Sequence, residues 1–143
     1  MAFVSEEYKD SALTDAIICC FYTVYNSLGY GFLEKVYENA LLLELRQRGI
    51  SAVGQSPIAV YYNNEIVGEY FTDLLIDGTV IAEIKACKNL ATEHEAQLLN
   101  YLKATPVEVG LLLNFGPTPQ IKRKIFENSR KANYCAQKDP GKA

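Results

Sequence analysis

The chain has 143 residues, 49% of them hydrophobic and 22% charged, which suits one globular domain with a substantial core and excludes a chain too polar to fold. Its formal net charge of −3 gives no global attraction to a polyanion and counts against a large non-specific surface for DNA. The longest apolar runs, such as Ala16 to Tyr22, fall short of a membrane span, and no basic start precedes an apolar stretch at the N-terminus, so the expected location is the cytoplasm.

Leu13, Ile17, Phe21, Val24 and Leu28 recur at helical spacing, with Ser11 as the expected N-cap and Gly29 as the stop. A second helical pattern runs from about Phe32 to Arg48, with Val36, Ala40, Leu41 and Leu45 apolar and Gly49 at its end. Glu34 and Tyr37 are neighbours on this helix. Judged on this helix alone, Glu34 reads as an exposed acid in the first turn, favoured by the helix dipole.

A three-stranded meander follows: Ile58 to Tyr62, Ile66 to Ile76 and Val80 to Lys85, with turns at Asn63-Asn64 and Asp77-Gly78. Pro57 is expected to mark its start and Gly68 a bulge in the middle strand. After a loop from Ala86 to Ala91, Thr92-Glu93-His94-Glu95 matches a capping box opening a helix that runs to about Lys103. His94, Gln97 and Tyr101 form a polar stripe on it, and amide and phenol groups of that kind can bind phosphate or a partner without being ionised. Val107 to Asn114 reads as a strand buried on both faces. Ile121 to Ser129 is expected to be a last, basic helix, and Ala132 to Ala143 a tail too polar to pack, which leaves 1–131 as a single domain. From Gln120 onward there are seven basic residues against two acidic ones, an end able to touch phosphates or simply to be solvated. Cys19, Cys20, Cys87 and Cys135 show no C-x-x-C pair, and with one histidine there is no zinc set; they are expected to be reduced thiols, two of them buried.

The hairpin from Tyr70 to Lys85 sets Asp73, Glu83 and Lys85 among apolar residues. Side chains alternate along a strand, so Glu83 and Lys85 share a face. A two-residue Asp77-Gly78 turn would pair Asp73 with Ala82, whereas the odd loop Asp77-Gly78-Thr79 would pair it with Glu83. In that second register two carboxylates face each other with Cβ atoms roughly 4.5 to 5.5 Å apart, a repulsive arrangement that a hard divalent cation would offset. A wet hairpin face with solvated charges is the plainer reading of these residues alone.

The order of elements, with an acid on the first core helix, Asp73 on the second strand and Glu83-Ile84-Lys85 on the third, resembles the αβββαβ core of the PD-(D/E)XK nuclease superfamily. Such a restriction-endonuclease-like fold is α/β (α+β), a mixed central sheet flanked by helices. Within that superfamily the chain is similar to the GxxExxY proteins: Gly31-Phe32-Leu33-Glu34-Lys35-Val36-Tyr37 carries the name motif, and His94 to Leu102 looks like their third-helix segment. Similarity extends from about Leu13 to Phe126. The usual Pro-Asp appears here as Thr72-Asp73.

This resemblance implies hydrolysis of phosphodiester bonds in nucleic acid, DNA above all, with Mg²⁺ or Mn²⁺. It implies Asp73 and Glu83 as metal ligands, Glu34 as a direct or water-mediated ligand, and the Ile84 carbonyl as a further one. Lys85 would position or help deprotonate the attacking water, and Gln97 and Tyr101 would hold phosphate or the lysine. Pairing of superfamily members to cut two strands makes a homodimer an expectation. Two other readings stay open: a nucleic-acid-binding or protein-interaction module without metal chemistry, and a metal-dependent hydrolase of a small phosphoester.

Overall fold

The computed structural model describes residues 10–131; the tail expected from Ala132 to Ala143, with Cys135 in it, lies outside them. Three helices and five strands follow one another: α1 Ser11–Leu28, α2 Glu34–Gln47, β1 Ala52–Tyr62, β2 Glu65–Ile76, β3 Val80–Lys85, α3 Thr92–Lys103, β4 Val109–Asn114 and β5 Gln120–Ile125, then a short 3-10 turn at Asn128–Lys131. The strands form one mixed sheet in the order β1-β2-β3-β4-β5. Only β3 and β4 run parallel, because α3 carries the chain back between them.

Each face of the sheet has its own core. Ile17, Phe21, Leu41 and Leu45 of α1 and α2 pack on Leu74, Ile84, Leu111 and Leu113. On the other face Leu98 and Leu102 of α3 pack on Ile81 and Leu112. All six residues of β4 are buried, as a central strand requires. Gly110 is what lets α3 sit down on it: a Cβ there would stand 2.7 Å from a Leu98 methyl.

Several boundaries differ from the sequence expectations. Asp10, not Ser11, precedes the first turn of α1 as N-cap. Strand β1 begins at Ala52, and Pro57 lies inside it; among the described residues β1 is an edge strand with no outer neighbour to require that missing N–H. The irregularity expected at Gly68 is present, since the register slips opposite Val60 and Tyr61 and leaves Val67 as the extra residue. Helix α3 is capped by Ala91, with His94 Nδ1 accepting the Ala91 N–H at 3.1 Å, so Thr92-Glu93-His94-Glu95 is not the capping box. Of the described cysteines Cys20 alone is buried.

The largest correction is at the C-terminal end. Residues 120–125 form an edge strand antiparallel to β4, not a helix. Ile121 and Ile125 are four apart, which puts them on one face of a strand as well as of a helix, and here both pack against the α1–α2 core. Lys122, Arg123 and Lys124 then stand on an edge strand, where charge discourages pairing with another chain, and Lys124 is also paired with Glu95 of the helix before β4 at 2.8 Å.

Candidate active site

The site lies where β2 parts from β3. Their ladder runs Ile76↔Val80, Leu75↔Ile81, Leu74↔Ala82 and then ends, although β2 continues back to Glu65 and β3 on to Lys85. The connecting loop is the odd one, Asp77 to Thr79, with Asp77 at φ 53° and Gly78 at φ 68°. Asp73 therefore falls across from Glu83.

Beyond Leu74 the carboxylates replace the backbone ladder. Glu83 Oε2 accepts the Asp73 N–H at 2.8 Å and the Thr72 hydroxyl at 2.7 Å. In return Asp73 Oδ2 accepts the Ile84 N–H at 2.8 Å. Since N–H and C=O of one strand residue point to the same edge, the Ile84 carbonyl faces the same gap. The irregularity extends into β1, because Gln55, opposite Asp73, breaks the β1–β2 pairing with a left-handed φ of 53°.

Electrostatics make the pair costly when both are ionised. Glu83 is only 5% exposed. Burial, reinforced by the neighbouring Asp73 charge, pushes its carboxyl up to about 7, against the lowering effect of Thr72, the Asp73 N–H and Lys85. Burial also raises Asp73, with Glu38 adding to the rise while the Ile84 N–H and Lys85 oppose it. Lys85 is thus within electrostatic reach of both acids. It is half-buried, and its own carbonyl accepts the Phe115 N–H at 2.8 Å, which fixes the end of β3 to the chain leaving β4.

The third acid at the site is Glu38. It is buried, its Oε2 is 2.6 Å from Lys35 Nζ, and its Oε1 accepts Gln55 Nε2 at 2.9 Å. Glu34, one helical turn earlier, is exposed and is not among the groups that shift Asp73. Tyr37 serves the fold instead: its hydroxyl donates to Gly29 O at 2.6 Å and accepts the Phe32 N–H, and its ring stacks on Phe115 with centroids 4.4 Å apart. Sequence reasoning missed Glu38, although its place four residues after Glu34 puts both on one side of α2.

From α3, Gln97 Nε2 donates to the Tyr101 hydroxyl at 2.9 Å. Burial raises the Tyr101 phenol above its ordinary value, with the Glu83 and Asp73 charges adding to the rise. His94 is occupied with the helix cap.

Two further residues, Asn114 and Gln120, hold the loop that links Lys85 to α3. Fully buried Asn114 accepts the Cys87 N–H and donates to Cys87 O, both at 2.9 Å, and its amide also reaches Gln120 Oε1 at 2.9 Å. Gln120 Oε1 in turn accepts the Leu90 N–H at 3.1 Å. A single Asn at a strand end gives no sequence signal of such a clamp.

The carboxylates suit a hard cation. Glu83 is buried with both of its hydrogen bonds on Oε2, and Asp73 beside it uses Oδ2 on the Ile84 N–H and lies within reach of the Glu38 carboxylate. Among the described residues no three acidic, His or Cys side chains are drawn together into a ready-made cage. Mg²⁺ asks for less than that, being commonly held by one or two carboxylates with waters and substrate oxygens completing the shell.

A family model described as the PD-(D/E)XK nuclease superfamily matches residues 11–125. The chain belongs to the PD-(D/E)XK nuclease superfamily. The match spans α1 to β5, so it takes in the fork between β2 and β3 as well as the helices on both faces. Comparison with curated proteins and with solved structures gave no match. No helix among the described residues is long and apolar enough to cross a membrane.

Proposed function

We propose that the protein is a divalent-metal-dependent nuclease that hydrolyses phosphodiester bonds in nucleic acid, DNA above all, and that it is of the GxxExxY kind. The observation that carries this reading is the interlocked pair of Asp73 and Glu83 at the fork, a half-buried acid beside a buried one, with Lys85 in electrostatic reach of both. Burying Glu83 beside a second acid is costly when both are ionised, and a bound cation would offset that cost.

In this reading Asp73 and Glu83, with the Ile84 carbonyl, hold Mg²⁺ or Mn²⁺. Glu38 takes the place of the third carboxylate, and Glu34, a turn further out, reaches the site through water. Bound there, the ion supplies Lewis-acid polarisation of the phosphate and a more acidic water. Lys85 orients the attacking water and offers its ammonium to the charge that grows on the phosphorus oxygens. Glu38 keeps Asp73 in place from the α2 side, and the Gln97–Tyr101 pair donates toward phosphate from α3.

The test is the purified protein with Mn²⁺ or Mg²⁺ on single-stranded, duplex, flapped and branched DNA, on RNA and on nucleotides, with chelator as control. Metal-dependent cleavage of polymer that is lost in Asp73→Asn is the expected result. Binding without cleavage across the panel would replace it with the binding-module reading, and cleavage confined to nucleotides with the small-phosphoester one.

A further inference from the structure

The β1–β2 ribbon does not stay in the plane of the sheet. On the sheet side of Asp73, even-numbered residues of both strands, Ala52, Leu74 and Ile76, face α1 and α2. On the far side the even-numbered Ile58 and Tyr70, which pair with each other, face α3 instead. Both strands therefore exchange faces at Gln55 and Asp73, where the pairing lapses. The ribbon beyond that point leans over α3 and encloses a groove of about 550 Å³ between them.

Val60 and Val67 of the ribbon form one side of the groove, Gln97 and Asn100 of α3 the other, and Tyr70 and Tyr101 lie at the end nearest the acids. Its lining is mainly apolar and aromatic, and its two charged residues, Glu93 and Lys103, are of opposite sign. Such a lining does not favour a phosphate. It does suit a flat heteroaromatic group with polar edges: Tyr70 is 48% exposed and packs on Tyr101 at a centroid separation of 5.7 Å with the rings tilted, and the Asn100 amide can donate to and accept from a base edge. The volume is within the ordinary range for a small-molecule site.

Tyr101 joins this groove to the catalytic fork. Its ring forms part of the groove wall and packs on Tyr70, which lies on β2 three residues from Asp73. We infer that the groove seats an unpaired nucleobase, stacked on Tyr70, belonging to the nucleotide whose phosphate lies at Asp73 and Glu83. This assignment rests on the nuclease reading for the place of the phosphate, and it gives that reading a substrate class: strands with an unstacked base at the cut, such as single strands, flaps or frayed ends. A base within a duplex is stacked on both sides and cannot enter a concave slot between a helix and a ribbon without being flipped out.

The test is binding, measured by fluorescence anisotropy in Ca²⁺ with labelled single-stranded DNA and RNA, each offered intact, with one abasic residue scanned along it, and as a perfect duplex. The intact single strand is expected to bind about tenfold tighter than the strand lacking the seated base, the usual worth of one base stacked on an aromatic side chain. Tyr70→Ala is expected to remove that tenfold preference, and Tyr70→Phe to keep it, because the stack needs the ring and not the hydroxyl. Equal binding of intact and abasic strands by the wild type would overturn the inference, as would tighter binding of the perfect duplex, or a base preference that survives Tyr70→Ala. The wild-type comparison does not depend on any variant folding. Failure of the nuclease reading shows separately, as wild type that keeps the base preference in Ca²⁺ but cuts nothing in Mn²⁺.

Discussion

Asp73 and Glu83 each bond the backbone that carries or adjoins the other: the Glu83 carboxylate receives the Asp73 N–H, and the Asp73 carboxylate receives the N–H of Ile84, next to Glu83. The same two side chains that repel one another as charges thereby close the gap left where the β2–β3 ladder ends. Position and charge are in opposition here, which makes the pair sensitive to pH, to metal and to isosteric substitution.

Stability without metal should fall as pH rises. Glu83 has a folded value of about 7 against an ordinary 4.5. Between those values the folded protein holds the proton more tightly than the unfolded chain. The penalty is therefore absent below about pH 4.5, grows through that window and is complete above 7. A shift of this size corresponds to roughly 3 kcal/mol. Glu83→Gln keeps an oxygen for Thr72 and the Asp73 N–H but carries no charge. Its Tm in chelator should exceed the wild type's by several degrees at pH 8 and match it near pH 4.5. A variant that is less stable at pH 8 would mean that the acid is a net structural asset.

Metal binding should be coupled to proton release at the same group. Calorimetry with Mn²⁺ is expected to show affinity rising from pH 6 to pH 8, with a heat that depends on the buffer's ionisation enthalpy. Asp73→Asn and Glu83→Gln should each weaken binding strongly. Glu38→Gln should weaken it less than either. If Glu34→Gln weakens binding more than Glu38→Gln, the assignment of the third acid is reversed.

Removing the lysine should separate chemistry from binding. Lys85→Ala is expected to cut turnover by about 10² or more, because the ammonium matters most as charge develops in the transition state. It should leave Mn²⁺ affinity within a few-fold or lower it slightly, since Lys85 favours the ionised form of both acids. Undiminished turnover would remove Lys85 from the mechanism.

The loop after Lys85 should depend on Asn114. Its amide makes three hydrogen bonds to Cys87 and Gln120 inside the protein. Asn114→Ala strands the Cys87 N–H and C=O, at a cost of about 2 to 4 kcal/mol. Hydrogen exchange at Cys87 and Leu90 should accelerate well beyond that of the β3–β4 ladder. Uniform acceleration across the molecule would show global destabilisation instead of a released loop.

Much of this architecture is written in residue patterns that only one structure satisfies. The apolar run that ends at Asn114 reads as an interior strand, and the structure makes it one from Val109 onward, while the interval from Ile76 to Val80 admits few loops, so the Asp73–Glu83 register was within reach of the sequence. Ile121 and Ile125 were not decisive, since a spacing of four satisfies helix and strand alike, and the outcome was set by the free edge of β4. Glu38 was hidden by its neighbour: Glu34 stands in the motif, but Gln55, displaced into a left-handed turn on another strand, bonds the Glu38 carboxylate one turn further on. Contacts made by an irregular backbone leave no periodic trace.

The ribbon beyond Gln55 and Asp73 ends in the tight turn Asn63-Asn64, both residues at positive φ (50° and 63°) as a two-residue hairpin turn of the primed kind demands. That tip is at the opposite end of the arm from the acids, and the strands reach it eight to nine residues from the fork. Paired additions at the tip would extend the arm while every atom at the fork keeps its partners. The protein thus has a place where reach can be lengthened, shortened or exchanged for another hairpin as cheaply as a tool head on a fixed handle, and two such molecules with one chemistry could differ in what they grasp by a dozen residues alone.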